Sequence, residues 1–250
     1  MIVQDFCVEL QTDYLKKQCN CVIYIGKMTQ EIKTITLSMP YRLGSVNCYL
    51  IKTDLGYILI DTGNSNKQAE IEKELESVGC KPGNLKLIIL THGDFDHIGN
   101  AAYLRKKFGA QIAMHSNDSG MAEKGDMFWN RKRSNIIVKI IAPFFFGFGK
   151  SRRFSPDFHI GDGFEFSEYG FDAKVIYIPG HSSGSIGILT INGDFVCGDL
   201  LTNLNKPELN SIMDDLETAN LSIEKFRNLE INTVYPGHGK PFNMKLFFNA

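Results

Sequence analysis

The stretch Thr91-His-Gly-Asp-Phe-Asp-His97 decides the fold, because it places four side chains of metal-binding type within seven residues. It follows an apolar run at 85–90 that predicts a buried strand, and it precedes a helix that we expect to begin at Ile98. Catalytic and binding residues concentrate on such connections between elements of a rigid scaffold. The stretch therefore predicts a metal site at the end of a strand.

Alternation along an extended backbone divides these four side chains between two ions. Side chains two residues apart lie on the same face of a strand, so His92 and Asp94 can face one ion. The turn into the helix then directs Asp96 and His97 elsewhere. We therefore expect two adjacent groups of ligands.

Three further residues of ligand type lie downstream on similar strand-end loops. They are His181 in Pro-Gly-His, Asp199 in Cys-Gly-Asp and His238 in Pro-Gly-His-Gly. The neighbouring glycines permit tight backbone paths to a shared point, and the two oxygens of Asp199 can bind one ion each. Of the six histidines, only His115 and His159 fall outside these contexts, and we expect both to be structural or surface residues.

The chain repeats one order of elements, which predicts its architecture. The first half has a hairpin ending in Asp61, a helix and the strand at 85–90, and the second half has a hairpin ending in Asp199, a helix and a strand at 232–235. The two helices are predicted from apolar residues at helical spacing, namely Ile71, Leu75 and Val78 in the first half and Leu216, Ala219, Ile223 and Phe226 in the second. Two sheets with helices on one side only pack face to face. The predicted fold class is α/β, a four-layer αββα sandwich of two pseudo-repeated halves with the ligands at its rim.

The sequence also predicts how the chain divides into segments. Residues 1–27 precede the first clear strand pattern and form an N-terminal extension to which the sequence assigns no role, whereas residues 28–250 form one domain. At about 116–160 an aromatic and basic insert, including Arg131-Lys-Arg133, interrupts the repeat. Such an insert can form a lid or a specificity wall. Alternatively, its aromatic side chains pack as ordinary core onto the domain, or onto the second chain of a homodimer.

The bulk composition excludes several classes of partner. With 250 residues, 43% hydrophobic content and a formal net charge of −1, the chain can bury a full core but lacks the basic excess that nucleic acid binding needs. Charged residues interrupt the N terminus, so no signal peptide is expected, and the longest apolar stretch, at 136–148, is too short to span a bilayer. Six cysteines are few for this length and fit ordinary thiols in a reducing compartment. We expect a cytoplasmic protein that acts on a small molecule.

The motifs resemble those of the metallo-β-lactamase-fold hydrolases. The resemblance spans about residues 30–242 and rests on five ordered blocks: Ile60-Asp-Thr-Gly63, Thr91 to His97, Pro179-Gly-His181, Gly198-Asp199 and Pro236-Gly-His-Gly239. It implies two ions, one held by His92, position 94 and His181, the other by Asp96, His97 and His238, with Asp199 bridging. It also implies that Asp61 steadies the histidine loop through hydrogen bonds.

One position departs from the pattern of that family. The usual run is His-x-His-x-Asp-His, and Asp94 stands where the second histidine is expected. Either Asp94 binds the first ion, or it is no ligand and the first position is weak or empty. As a ligand, Asp94 makes the site richer in oxygen, so iron or manganese compete with zinc, the metal that the resemblance implies. The predicted cofactor is a pair of divalent ions.

Three functions compete at this point. The leading prediction is a hydrolase that cleaves an ester, thioester, lactone or phosphodiester bond of a small molecule, with metal ions lowering the pKa of bound water to about 7. In that mechanism Asp96 is the catalytic residue that orients the attacking hydroxide. The second prediction is a di-iron redox protein, because flavodiiron proteins carry a glutamate where this chain has Asp94; no flavodoxin domain is expected here, so a partner would supply electrons. The third is a non-catalytic protein with a degraded metal site.

Overall fold

The computed structural model of the chain describes residues 30–39, 44–131 and 150–249. The extension expected at 1–27 lies outside the described residues. So does the central part of the expected insert, at 132–149.

Two sheets form the centre of the molecule. The first contains, in spatial order, β1 (Ile32–Ser38), β2 (Ser45–Thr53), β3 (Gly56–Ile60), β4 (Leu85–Leu90), β5 (Gln111–Met114) and β6 (Phe158–His159). The strands β1 to β3 are antiparallel, and β3 to β6 are parallel.

The second sheet is built mainly from antiparallel neighbours. It contains β7 (Ala173–Tyr177), β8 (Ile186–Thr190), β9 (Asp194–Asn203), β10 (Pro207–Leu209), β11 (Thr233–Gly239) and β12 (Phe242–Asn243). The spatial order is β12-β11-β9-β8-β7, with β10 alongside β9. Only β9 and β11 pair in parallel among the described strands of this sheet.

Helices cover the outer face of each sheet. The described residues contain α1 (Gln68–Ser77), α2 (Phe95–Ile98), α3 (Ala101–Phe108), α4 (Ser116–Lys124), α5 (Leu216–Phe226) and α6 (Met244–Phe248). Apolar side chains of α1 and α3 pack with β1 to β5 in one core, and those of α5 pack with β7, β9 and β11 in another. A third core, with Tyr49, Ile58 and Leu87 from the first sheet and Val175, Ile188 and Val196 from the second, lies between the sheets. The predicted αββα sandwich is confirmed.

The two halves share one connectivity. In the first, the hairpin β2-β3 leads through α1 to β4, which is parallel to β3. In the second, the hairpin β8-β9 leads through α5 to β11, which is parallel to β9. The apolar faces of both helices are predicted correctly except at their ends, where Val78 and Leu216 are exposed because Val78 follows the last turn of α1 and Leu216 begins α5. Among the described residues, no helix combines the length and the hydropathy needed to cross a membrane.

Candidate metal centre

The stretch after β4 carries the first candidate ligands, as the sequence predicts. His92 and Asp94 follow the last residue of β4, with Asp94 on extended backbone, and both are buried. The helix that we expect to begin at Ile98 starts three residues earlier as the short helix α2, so Asp96 and His97 lie on its single turn. This turn separates their side chains from those of His92 and Asp94.

Two of the downstream candidates lie inside strands and not on loops after them. Asp199 is in the middle of β9, and His238 is the penultimate residue of β11. The pairing of these strands shifts register between Tyr235 and His238, and Gly198 has a φ of 51°, so the backbone departs from regular geometry beside both side chains. His181 lies on the loop after β7, as expected.

The first group of ligand-type atoms consists of His92, Asp94 and His181. The Oδ2 atom of Asp94 lies 3.1 Å from Nε2 of His181 and 3.8 Å from Nε2 of His92. The three ligand atoms lie within 4.8 Å of one another. Donors at about 2.0–2.2 Å from a shared tetrahedral ion stand about 3.4 Å apart, so these separations suit one ion.

The second group consists of Asp96, His97 and His238, and Asp199 lies between the two groups. The Oδ2 atom of Asp96 is 3.4 Å from Nε2 of His238 and 3.9 Å from Nε2 of His97. The Oδ2 atom of Asp199 is 3.2 Å from Nε2 of His238. The same oxygen is 4.0 Å from Nε2 of His92 and 3.9 Å from Nε2 of His181. One carboxylate thus faces both groups.

Hydrogen bonds at the Nδ1 atoms leave all four Nε2 atoms directed at the centre. Nδ1 of His181 contacts the carbonyl oxygen of Ile212 at 2.7 Å, and Nδ1 of His238 contacts that of Ser45 at 2.7 Å. Carbonyl oxygens only accept, so Nδ1 carries a proton in each ring and Nε2 is the nitrogen left to bind a metal. His92 and His97 are oriented by Thr91 and Asp61, as described next.

Asp61 anchors the stretch after β4 through three hydrogen bonds. Its Oδ1 accepts from the backbone N–H of Thr91 at 2.8 Å, and its Oδ2 accepts from the Thr91 hydroxyl at 2.7 Å. The same Oδ2 contacts Nδ1 of His97 at 2.8 Å, while the Thr91 oxygen contacts Nδ1 of His92 at 2.9 Å. Asp61 has a φ of 60°, the only positive value among the described non-glycine residues, and such backbone strain persists where the surroundings enforce it. The geometry is that of the steadying role expected for Asp61.

The residues present fit a pair of divalent cations. Buried side-chain atoms that lack a hydrogen-bond partner in the described part of the chain include Nε2 of His92, Nε2 of His97 and Oδ1 of Asp199. Buried polar atoms nearly always have a partner, and these three all face the centre. Imidazole nitrogen and carboxylate oxygen are ligands suited to zinc, iron and manganese. All seven candidate ligands predicted from the sequence are brought together here.

The sequence of this chain matches that of one family over most of its length. The profile of the Metallo-beta-lactamase superfamily aligns with residues 41–238. The chain belongs to the metallo-beta-lactamase superfamily.

Relatives within the superfamily are distant in sequence. A probable metallo-hydrolase of Bacillus subtilis, YqjP, is 26% identical over 242 residues, covering 85% of this chain and 73% of that protein. The hydroxyacylglutathione hydrolase GloC of Haemophilus influenzae is 31% identical over 153 residues, covering 60% and 64%. The beta-lactamase-like protein 2 homolog of Caenorhabditis elegans is 23% identical over 206 residues, and the match spans 80% of this chain but only 58% of that protein. Among solved structures, the di-iron-bound form of TTHA1623 has a TM-score of 0.65 at 23% identity, covering 86% of this chain and 96% of that one.

Electrostatics at this superfamily site favour bound cations. Burial and the imidazoles of His97 and His181 lower the pKa of His92, so this side chain is neutral and ready to bind a metal. Burial alone would lower the pKa of His238, but the Asp199 carboxylate outweighs it and raises that pKa to about 11. Burial would likewise lower the pKa of His97, but Asp199 and Asp61 outweigh it and raise that pKa. The field that favours imidazolium also favours a divalent ion.

Arg131 is part of the site, although the sequence suggested only a basic run in the insert. Its Nη2 donates to Oδ1 of Asp94, and its Nη1 donates to the carbonyl oxygen of His181 at 3.0 Å. Burial alone would raise the pKa of Asp94, but the guanidinium of Arg131 and the His181 imidazole outweigh it and hold that pKa well below its usual range. Nothing in the spacing of Arg131 signals this contact, which links residues 37 positions apart.

Asp118 is a second residue of the site that no sequence motif predicts. It is fully buried on α4, and its Oδ2 accepts from the backbone N–H of Gly93 at 3.0 Å and from the hydroxyl of Ser182 at 2.6 Å. Its Oδ1 accepts from the backbone N–H of Gly184 at 2.8 Å. Asp118 therefore joins the loop that carries His92 to the loop that carries His181.

Two polar residues of β2 hold the end of β11 that carries His238. The side-chain amide of Asn47 donates to the carbonyl oxygens of Pro236 and Gly239 at 3.0 and 2.7 Å, and the Tyr49 hydroxyl donates to that of Pro236 at 2.5 Å. The sequence could have pointed to Asn47 as a functional residue, because it is a polar residue within an apolar strand.

The remaining histidines lie outside the centre. His115 caps the N terminus of α4 and stacks on Tyr177 with ring centroids 4.7 Å apart, and His159 lies on β6. The described parts of the insert consist of α4 with the segment to Arg131, and of residues 150–160. Whether the insert is a lid stays a prediction.

Proposed function

We propose that this chain is a hydrolase that uses two divalent metal ions to cleave an acyl ester or thioester of a small molecule. The observation that carries the proposal is the position of Asp199, whose carboxylate faces both groups of ligand atoms. Membership of the superfamily and relatives named metallo-hydrolases support a metal-dependent hydrolase. The relative named hydroxyacylglutathione hydrolase puts thioesters ahead of lactones and phosphodiesters.

The ions would supply two effects when bound: they lower the pKa of water to about 7 and they polarise the oxygen of the bond under attack. His92, Asp94 and His181 would hold one ion, and Asp96, His97 and His238 the other, with Asp199 shared. The four histidines keep fixed orientations because Ser45, Asp61, Thr91 and Ile212 hold their Nδ1 atoms.

Asp96 is the residue that handles the proton. Asp96 is 5% exposed, and its Oδ2 lies 3.4 Å from Nε2 of His238 in the same group. During hydrolysis the oxygen of water bonds to the carbonyl carbon, the C–S or C–O bond breaks, and the leaving thiolate or alkoxide takes up a proton. Asp96 would orient the water, accept its proton and deliver it to the leaving group.

A hydrolysis panel tests the proposal with zinc-loaded and manganese-loaded protein. The panel contains acylated glutathione, an acyl-coenzyme A, a p-nitrophenyl ester, a lactone and bis-p-nitrophenyl phosphate. We expect turnover of the thioesters, and a loss of kcat of roughly 10²–10⁴-fold in Asp96→Asn but not in Asp54→Asn, which makes the same charge change in the exposed β2-β3 turn. Turnover of the phosphodiester alone would reject the acyl substrate class.

The redox alternative draws on the oxygen ligand at Asp94. Three carboxylates, from Asp94, Asp96 and Asp199, make a donor set that suits harder ions such as iron. This function requires coloured protein with bound iron that consumes oxygen when a partner supplies electrons. Colourless, zinc-containing protein that hydrolyses a thioester rejects it. Protein that binds only traces of zinc, manganese and iron supports the non-catalytic alternative.

A further inference from the structure

Asp94 divides its two oxygens between different partners. Oδ2 faces the imidazole nitrogens of His181 and His92 at 3.1 and 3.8 Å, and Oδ1 accepts a hydrogen bond from Nη2 of Arg131. Asp94 is 5% exposed and Arg131 is 9% exposed, so little water screens the pair. One oxygen is thus available to an ion while the other is held by a fixed cation.

Arg131 is held at this place by contacts other than Asp94. Its Nε donates to the carbonyl oxygen of Met127 at 3.2 Å, and its Nη1 donates to that of His181 at 3.0 Å. The carboxylates of Asp118 and Asp214 also act on the guanidinium. Because a guanidinium is planar and its donors have fixed directions, these contacts set its orientation.

The guanidinium also lies close to the first group itself. Nη2 of Arg131 is 3.5 Å from Nε2 of His181, the nitrogen that faces Asp94 Oδ2. An ion bound by His92, Asp94 and His181 would therefore stand within several ångströms of a permanent positive charge. The hydrogen bonds of Arg131 to Asp94 and His181 both reach residues of this first group, so its charge acts there at the shortest range.

The summed charge of the Asp94 and Arg131 side chains explains how this pair can take the place of the one histidine in the family pattern. A carboxylate with a guanidinium sums to zero, as does a neutral imidazole. Asp94 alone would add a negative charge to the centre, and Arg131 cancels it. The carboxylate–guanidinium pair differs from an imidazole in that it places a positive charge on one side of the ligand oxygen.

We propose that Arg131 is a positioning residue for the first metal position, fixing Asp94 as a one-oxygen ligand and keeping that position the weaker of the two. This inference rests on the two-metal site of the proposed function. The second position fills first, and the first position fills at higher metal concentration. Removing the guanidinium strengthens the first position, because a buried unit charge within several ångströms of a divalent ion repels it strongly.

Zinc titration of the metal-free full chain, in competition with a chromophoric chelator, tests the inference without measuring activity. Wild type should bind one zinc tightly and one weakly. In Arg131→Met the weaker affinity should rise by about tenfold or more, and the tighter one should stay within about threefold. Arg227→Met, which removes an exposed arginine of a surface pair with Glu224, should match wild type.

A second pair of variants keeps the test independent of folding, since Arg131→Met leaves the buried Asp94 without its cation. Asp94→His and the double variant Asp94→His with Arg131→Met both lack that carboxylate. The double variant should bind its weaker zinc about tenfold or more tightly than Asp94→His does. Anomalous diffraction at the zinc edge should place the weaker ion between His92 and His181.

Each outcome separates this inference from the proposed function. Equal or lower affinity of the weaker zinc on removal of Arg131, in either pair of variants, overturns the inference and leaves the hydrolase proposal standing. Absence of zinc binding in wild type overturns both. A zinc shift as expected in a protein that hydrolyses no member of the panel overturns the proposed function alone.

Discussion

Replacing Asp61 with asparagine should weaken the candidate metal site without changing the shape of the side chain at this position. The two side chains have the same shape, and asparagine tolerates the positive φ of 60° at this position at least as well as aspartate. Asp61 accepts three hydrogen bonds, two at Oδ2 from His97 and Thr91 and one at Oδ1 from the Thr91 backbone. Asparagine offers one oxygen, so at least one buried donor then faces an NH₂ group.

The structure sets the size of the effect. With its oxygen toward the Thr91 backbone, the substituted asparagine could no longer accept the two hydrogen bonds that reach Oδ2 of Asp61. Hydrogen bonds to a charged group contribute about 1.5–3 kcal/mol each. The Thr91 hydroxyl can turn toward another acceptor, so we expect a loss of about 3 kcal/mol in the free energy of unfolding of metal-free protein. The amide would also donate to Nδ1 of His97, moving the ring proton to Nε2, the atom that faces the centre. Zinc affinity should fall by about 10–100-fold.

Three measurements check these expectations. Urea unfolding gives the free energy, chelator competition gives the zinc affinity, and long-range ¹H–¹⁵N correlation spectra report which nitrogen of His97 carries the proton. Asp54→Asn is the matched control, because it removes the same charge from an exposed turn of the adjoining hairpin. Unfolding within about 0.5 kcal/mol of wild type together with an unchanged zinc affinity would refute the idea that Asp61 steadies the centre; a surface change has an effect of that size.

Three further predictions concern the same centre. Gly237→Ala should lower stability by about 1–3 kcal/mol and abolish tight zinc binding, because a Cβ at this position would lie 2.0 Å from Oδ1 of Asp199 and 2.8 Å from Cε1 of His97. Unfolding and zinc titrations check this. Gly161→Ala should leave both unchanged, because a Cβ there would meet Cδ2 of His115 at 4.0 Å, an ordinary contact. Zinc affinity should rise with pH between about 6 and 9, by roughly tenfold per pH unit for each proton released. The reason is that the pKa of His238 is raised to about 11, so zinc must displace a proton from this side chain. Zinc titrations in a series of buffers measure the pH dependence, and an affinity that does not change with pH contradicts the prediction. Removing zinc with a chelator, from protein kept at a free zinc concentration about 100-fold above the Kd, should lower the free energy of unfolding by about 2.7 kcal/mol. For a chain of this size that loss corresponds to a fall in Tm of roughly 5–10 °C. Scanning calorimetry measures the Tm, and an unchanged Tm contradicts zinc binding to the folded state.

Local patterns carried most of the information about the fold. The alternation of strands and the helical spacing of Ile71, Leu75, Ala219 and Ile223 depend on burial, which acts residue by residue along an element. The ends of elements were less predictable, as Val78 and the early start of α2 at Phe95 show. Near these two ends the polar partners come from distant segments, since the hydroxyls of Tyr57 and Thr62 donate to the carbonyl oxygens of Val78 and His97.

The candidate ligands were predictable from the sequence because their residue types and neighbouring glycines are typical of metal ligands. The residues that position those ligands through hydrogen bonds were not predictable. His181 and His238 stand beside glycines in repeated motifs. Arg131 and Asp118 act through contacts 37 and 66 positions away in sequence, and neither spacing has a local signature. Tertiary folding alone brings them to the site.

Asp199 and Asp94 differ in how many metal positions they touch, and this difference has an evolutionary consequence. Asp199 contacts nitrogens of both groups, so any change there disturbs both positions at once. Asp94 contacts nitrogens of the first group. A lineage can therefore alter the first position in a single mutational step while the second keeps its ligands, and variation in metal preference can begin at residue 94.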